Sequence, residues 1–259
     1  MKTLSEEIIK LKELKHPNIV KYLCTDLSHK KKLTINILLE YVPGGSVRNL
    51  LDRFGPLDEK IIKIYVKQIL EGLKYLHSKE IVHRNLKCSN ILVDNDATVK
   101  LSDFDSSKRI FSTDKKGEST KESVSRVEFS DSISPYWLAP EVVLNAGYNK
   151  AADVWSIGCI MLEMRTGTLP WSEAGTDSIN VLNTIATASG GPIIQPGIFN
   201  SLALAFIKRC FCRDPVKRPT VGELSKDPFI QNLDNEGDIH ARTIVQQMST
   251  RLQQENALK

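Results

Sequence analysis

The chain has 259 residues and a mass of 29.1 kDa, enough for one large domain or two small ones. Its 41% hydrophobic and 25% charged residues supply a packed core and exclude a disordered chain. Lys plus Arg number 35 against 31 Asp plus Glu, a net of +4 with no basic stripe, so composition argues against nucleic-acid binding by phosphate neutralisation. The longest apolar stretch, Ile157 to Met164, falls far short of the ~20 residues that cross a bilayer. Glu6 and Glu7 stand where a signal peptide needs apolar residues, so neither a membrane span nor a secretion signal is expected. Cys24, Cys88, Cys159, Cys210 and Cys212 form no C-x-x-C pair, which predicts a reducing compartment, the cytoplasm, with no disulfide framework or zinc site. Cys210 and Cys212 read as buried, inert helix thiols rather than a redox pair.

In chain order, Leu4 to Leu14 carries apolar residues at 4, 8, 11 and 14, one helical face, and His16-Pro17-Asn18 ends it. Two extended runs follow, Ile19 to Cys24 and Leu33 to Leu39, split by the polar loop Ser28 to Lys32. Pro43-Gly44-Gly45 breaks the chain before a helix from Ser46 to Phe54. Asp58 caps a long amphipathic helix to His77, in which Ile61, Tyr65, Ile69, Leu73 and Leu76 recur at spacings of four and three. Short extended runs then fall at Ile81 to His83, Asn90 to Val93 and Thr98 to Leu101.

Between Ser112 and Ser134, nine of 23 residues are Ser or Thr among charges, which predicts a mobile loop open to phosphorylation. Ala151 to Met164 is apolar on nearly every side and predicts a helix buried all round. Further helices are expected at Asp177 to Thr187, Leu202 to Cys212 and Val221 to Leu224. From Asn232 a short acidic link leads into a polar helix. Ala241, Val245, Met248 and Leu252 would suit a short coiled-coil seam, but a solvated end helix is the preferred reading. Strands first and helices after give an α+β fold with a helical bulk.

The chemistry concentrates in His83-Arg84-Asn85-Leu86-Lys87-Cys88-Ser89-Asn90 and Ser102-Asp103-Phe104-Asp105. A basic residue, amides and a carboxylate on loops between short strands suit a polyanion and a divalent cation. Asn90 and Asp103 offer oxygen ligands of the kind magnesium prefers, and Lys87 offers a point charge for a phosphoryl group.

In this order and spacing the residues resemble the eukaryotic protein kinases. The family's H-R-D-x-K-x-x-N loop reads His83-Arg84-Asn85-Leu86-Lys87-Cys88-Ser89-Asn90, and its D-F-G reads Asp103-Phe104-Asp105. A-P-E stands intact as Ala139-Pro140-Glu141, and D-x-W-S-x-G as Asp153 to Gly158. The resemblance pairs Glu141 with Arg218 and implies ATP and Mg2+ as cofactors. His16-Pro17-Asn18-Ile19-Val20, Ile37 to Ser46 and Pro135-Tyr136-Trp137-Leu138 are similar to mitogen-activated protein kinase kinase kinases, which phosphorylate Ser and Thr of protein substrates in signalling cascades. By that likeness Leu39 is the gatekeeper, the backbone at Glu40 and Val42 meets adenine, and Leu92 lies beneath the ring. It also divides the chain into a small-lobe remnant at 1–42, a large lobe at 43–231 with an activation segment at 103–141, and a tail at 232–259.

The chain departs from the family pattern at several places. Glu7 aligns with the regulatory-helix glutamate and only six residues precede it, so the glycine-rich loop and the phosphate-gripping lysine are expected to lie outside this sequence. Asn85 replaces the carboxylate that orients the substrate hydroxyl and takes its proton. Losing such a base removes ~10²–10⁴ in rate, or about 3–5 kcal/mol of barrier. Asp105 replaces the D-F-G glycine and restricts its backbone, while Ile133-Ser134 replaces the usual Gly-Thr and keeps a hydroxyl at Ser134. Ser119, Thr120, Ser123 and Ser125 read first as part of a polar disordered loop; if another kinase phosphorylated them, the resemblance implies that Arg84 would receive the phosphate. Two readings stand: a pseudokinase acting through binding, and a fragment of an active Ser/Thr kinase.

Overall fold

The computed structural model describes residues 12–28, 34–103, 108–109, 134–232 and 235–257. Of the helix expected at Leu4 to Leu14, residues 4–11 lie outside those described; Lys12 and Glu13 are helical and Leu14 is buried just past the helix. So do Glu7, Phe104, Asp105 and the Ser/Thr-rich segment up to Ser134.

Strands β1 (Tyr22–Ser28) and β2 (Thr34–Leu39) form an antiparallel hairpin. The first begins later than the sequence predicts because Ile19 and Val20 are claimed by another segment. Ile19 forms a parallel bridge with Leu101, and Val20 N–H donates to the Leu101 carbonyl at 2.9 Å. Leu23 and Leu38 on this hairpin are exposed.

Helix α1 (Val47–Phe54) starts on a reciprocal cap: Ser46 Oγ accepts from Asn49 N–H at 3.2 Å, and Asn49 Oδ1 accepts from Ser46 N–H at 2.9 Å. Such a cap contributes about 1 kcal/mol. Helix α2 (Glu59–Ser78) starts on Asp58, as its sequence predicts, and buries Ile61, Tyr65, Ile69, Leu73 and Leu76. Each fully buried aliphatic side chain contributes about 1.5–3 kcal/mol, so this stripe is the main reason α2 holds its place. The short strands β3 (Ile81–Val82), β4 (Ile91–Val93), β5 (Val99–Leu101) and β6 (Lys108–Arg109) pair antiparallel as β4 with β5 and β3 with β6.

Helix α3 (Pro140–Val143) is one turn opened by Pro140. Helix α4 (Lys150–Thr166) is buried from Ala152 to Met164 without interruption, the all-round burial its sequence predicts, and stops at Gly167, whose φ of 73° suits a residue without Cβ. Of the remaining helices, α5 (Ser178–Thr187) packs on α3 and the 135–137 turn, α6 (Ser201–Cys210) on α4, and α7 (Val221–Leu224) and α8 (Pro228–Gln231) on α2. Helix α6 ends before the predicted Cys212. Phe211 turns in against Trp155, with ring centroids 5.1 Å apart, and the Cys212 carbonyl accepts from Arg218 Nε at 2.7 Å.

The tail forms α9 (Asn235–Ala257), and here the solvated reading is corrected. Val245 and Ser249 are buried and Leu252 nearly so, because α9 packs across α2 and α1. The apolar spacing seen in the sequence serves an intramolecular seam. Gly44 lies at its upper end: a Cβ there would stand 2.3 Å from the Val93 carbonyl and 2.8 Å from Ser249 Oγ, so only glycine admits the approach. No helix among the described residues is long and apolar enough to cross a membrane.

Candidate functional site

The site is assembled on the loop between β3 and β4 and on the residues after β5, both held by α4. Asp153, fully buried near the start of α4, accepts from the backbone N–H of His83 and of Arg84, each at 2.9 Å, and pairs with His77 Nε2 at 2.8 Å. One carboxylate therefore fixes the entry to the loop. Arg84 adopts φ of 70° and Asp103 φ of 61°, a region that non-glycine residues occupy at a cost of roughly 1–3 kcal/mol. The Asp153 bonds hold Arg84 there, together with Tyr148 Oη, which donates to the Arg84 carbonyl at 3.0 Å. The Arg84 guanidinium lies 4.9 Å from the Tyr148 ring centre. Burial lowers the Arg84 pKa, raises that of the Tyr148 phenol, and depresses that of His83, which favours a neutral imidazole.

Asn85 and Asn90, on one loop, meet Asp103 from the segment after β5. Asn85 Nδ2 donates to Asp103 Oδ2 at 2.7 Å, and Asn90 Nδ2 donates to the same oxygen at 3.0 Å. Asn90 Nδ2 also donates to the Asn85 carbonyl at 2.8 Å, and the Asn90 carbonyl accepts from Ser102 N–H and Oγ, each at 3.0 Å. A divalent cation needs oxygen lone pairs facing it. Both amides turn N–H hydrogens onto Asp103 Oδ2, whereas Asp103 Oδ1 carries no hydrogen bond to another described residue and Asn90 Oδ1 accepts only from Ser89 Oγ at 3.4 Å, so these two oxygens are the ones that would hold such an ion. Among the described residues no cluster of three or more His, Cys, Asp or Glu side chains offers a further metal site. Lys87 is extended and half-buried at the start of the 88–90 turn; its carbonyl accepts from Asn90 N–H at 2.9 Å, and its side chain forms no hydrogen bond or ion pair with another described residue.

The strip after β2 supplies a second surface. The Glu40 carbonyl and Val42 N–H carry no hydrogen bond to another described residue, whereas Glu40 N–H is used by the Lys21 carbonyl at 2.8 Å. The Glu40 side chain, which sequence reading passes over, accepts from Lys100 Nζ at 3.0 Å and Lys21 N–H at 2.7 Å. Leu92 lies half-buried on β4, tied to the strip through its bridge with Ser46 and through Val93 N–H on the Gly45 carbonyl at 2.9 Å. Leu39 keeps about two fifths of its surface exposed, at 39%.

Glu141 and Arg218 pair as their motif positions imply. The guanidinium forms two parallel bonds, Nη1 to Oε1 at 2.7 Å and Nη2 to Oε2 at 2.9 Å, with the Arg218 side chain wholly buried. Arg218 also lies 5.2 Å from the Trp155 ring centre and donates to the Ala151 carbonyl at 2.8 Å. Ser134 precedes the turn Pro135–Trp137 without capping it.

Two buried polar groups escape the sequence reading. His77 stands in the sequence only as the end of α2, yet it pairs with the buried Asp153. Glu163 lies within a run of buried residues and accepts from Trp137 Nε1 at 3.0 Å and Arg48 Nη1 at 3.2 Å, which joins α1, α4 and the 135–137 turn. Burial raises its pKa. Its only signal in the sequence is an acidic residue within the apolar stretch Ile157 to Met164.

With this geometry in hand, comparison with known proteins gives a consistent result. A family profile described as a protein kinase domain matches residues 1–230. Mitogen-activated protein kinase kinase kinase A of Dictyostelium discoideum is 42% identical over 233 residues, covering 90% of this chain and 23% of the relative. Mitogen-activated protein kinase kinase kinase 2 of Arabidopsis thaliana is 42% identical over 229 residues, covering 88% and 33%. Mitogen-activated protein kinase kinase kinase 19 of Homo sapiens is 38% identical over 228 residues, covering 88% and 16%. The chain thus spans a third or less of the length of these relatives. A kinase motif set, an α4 carboxylate that braces the loop and a matching profile lead to one conclusion: the chain belongs to the protein kinase family and is related to the mitogen-activated protein kinase kinase kinases.

Proposed function

We propose that this chain is a kinase-derived module that works by binding proteins of a phosphorylation cascade and is impaired in phosphate transfer. The observation that carries this reading is Asn85. It occupies the general-base position of the family loop, and its side-chain nitrogen is committed to Asp103 at 2.7 Å. An amide is not a base at neutral pH, so a substrate hydroxyl at this point finds no proton acceptor. The same reading assigns residues 1–42 to a small lobe, 43–231 to a large lobe and 232–259 to a tail, in a cytoplasmic protein. The family uses ATP and Mg2+ in general. For this chain the unengaged Glu40 carbonyl and Val42 N–H support contact with an adenine edge, and Asp103 Oδ1 with Asn90 Oδ1 are the oxygens left to a metal.

The test is phosphate transfer from ATP to a Ser/Thr acceptor protein, run on the full chain and on Asn85→Asp. The expected result is transfer by the unaltered chain at least ~10²-fold below the ordinary range of about 1–100 s⁻¹ for kinases. Transfer within that range by the unaltered chain would replace this reading with that of an active Ser/Thr kinase. Gain of transfer in Asn85→Asp alone would locate the deficit at the missing base.

A further inference from the structure

A cavity of about 580 Å³ opens between the end of α2, the start of α4 and the loop that enters α7, within the size range of ligand sites. Its walls are apolar at Val154, Pro215 and Val216, and Val216 is 90% exposed. Its free charges are of one sign. Lys74 and Lys150 line it, and no Asp or Glu does so among the described residues. The carboxylates that these lysines hold, Glu71 at 4.0 Å and Glu80 at 2.8 Å, lie outside the lining. Arg218 also reaches the wall, but its charge is spent on Glu141. His77 lines the cavity with a side chain only 7% exposed. Its Nε2 faces Asp153 at 2.8 Å, and a carboxylate only accepts, so Nε2 carries the hydrogen and Nδ1 of the neutral ring is an acceptor. Nδ1 bonds to no other described residue and is not sealed from solvent, so it opens onto the cavity.

We propose that this cavity is a docking groove for an extended peptide segment of a protein partner, one that carries a carboxylate flanked by bulky aliphatic side chains. Lys74 and Lys150 meet the carboxylate, Val216 and Pro215 take an aliphatic side chain, and a backbone N–H of the peptide donates to His77 Nδ1. That last contact favours a peptide over a fatty carboxylate, which suits the walls and the lysines but has no N–H to donate. The proposal rests on the reading of the chain as a binding module and names one surface through which it binds.

The experiment is fluorescence anisotropy on the full chain with two pools of fluorescein-labelled heptapeptides, Leu-Glu-Val or Leu-Lys-Val at the centre and two random residues on each side. The Leu-Glu-Val pool should bind saturably with an apparent Kd below about 1 mM and about 5-fold or more tighter than the Leu-Lys-Val pool. Lys74→Glu, at a side chain 56% exposed, should reverse that preference. Val216→Asp, which sets a like charge on the apolar wall, should weaken the Leu-Glu-Val pool by about 10-fold. Should Val216→Asp fail to fold, the reversal in Lys74→Glu provides the readout. The proposal is overturned if neither pool binds, if the preference survives Lys74→Glu, or if a folded Val216→Asp binds as tightly as the unaltered chain. It is also overturned if decanoate displaces the labelled pool as effectively as unlabelled Leu-Glu-Val peptides do, since the cavity would then take any amphipathic anion. No phosphate transfer is read here: a chain that proves to be an active kinase can still hold the groove, and an empty groove leaves the transfer result unchanged.

Discussion

Arg218 shows how one buried side chain ties distant parts of the chain together. Its guanidinium satisfies both oxygens of Glu141, the Ala151 carbonyl and the Cys212 carbonyl, and it faces Trp155. Breaking such a pair from one side strands a charge in a medium that cannot solvate it. Arg218→Met should therefore lower unfolding stability by about 3–5 kcal/mol, measured in urea, and adding Glu141→Gln should recover part of that. A loss below about 1 kcal/mol would mean the pair behaves like an exposed one. Glu141 and Arg218 were legible as partners because both stand in recognisable motifs. His77 was not, since its bond to Asp153 spans 76 positions and nothing local marks it. Asn85 was legible as a missing base, but its amide bond to Asp103 depends on the positive φ of Asp103, which a non-glycine residue does not announce.

Among the elements, α2 and α4 follow directly from their patterns: a one-sided apolar stripe capped by Asp58 in the first, apolar residues on every side in the second. Helix α9 does not. Its apolar positions are few, and whether they face water, another helix or a second chain depends on the groove available, which exists only once α1 and α2 are in place. Val245 and Leu252 fill that groove, whereas the buried hydroxyl of Ser249 finds no hydrogen-bond partner among the described residues. Leu252→Ala should cost about 2–4 kcal/mol and speed amide hydrogen exchange over 243–254. Ser249→Ala, which removes an unsatisfied polar atom, should stabilise the protein by about 1 kcal/mol. Unchanged exchange in Leu252→Ala would show that the seam contributes nothing to docking.

At the scale of the molecule, stability is unevenly shared. The helices around α4 bury one continuous cluster that includes Trp155, Tyr65 and Phe206, whereas the β1–β2 hairpin leaves Leu23, Leu38 and Leu39 at least partly in water. A two-stranded hairpin is marginal without a packed face, and local opening follows low packing. Thermolysin under native conditions should cut first between Tyr22 and Leu39, well before α2 or α4 is touched; equal protection of both regions would contradict this. Helix α9 has a further consequence for biosynthesis. It is synthesised after α1 and α2, so the groove on them stays open until residues 235–257 have left the ribosome. During that interval the same groove is offered to the equivalent helix of a neighbouring nascent chain, and an exchanged dimer is the misassembly this architecture invites.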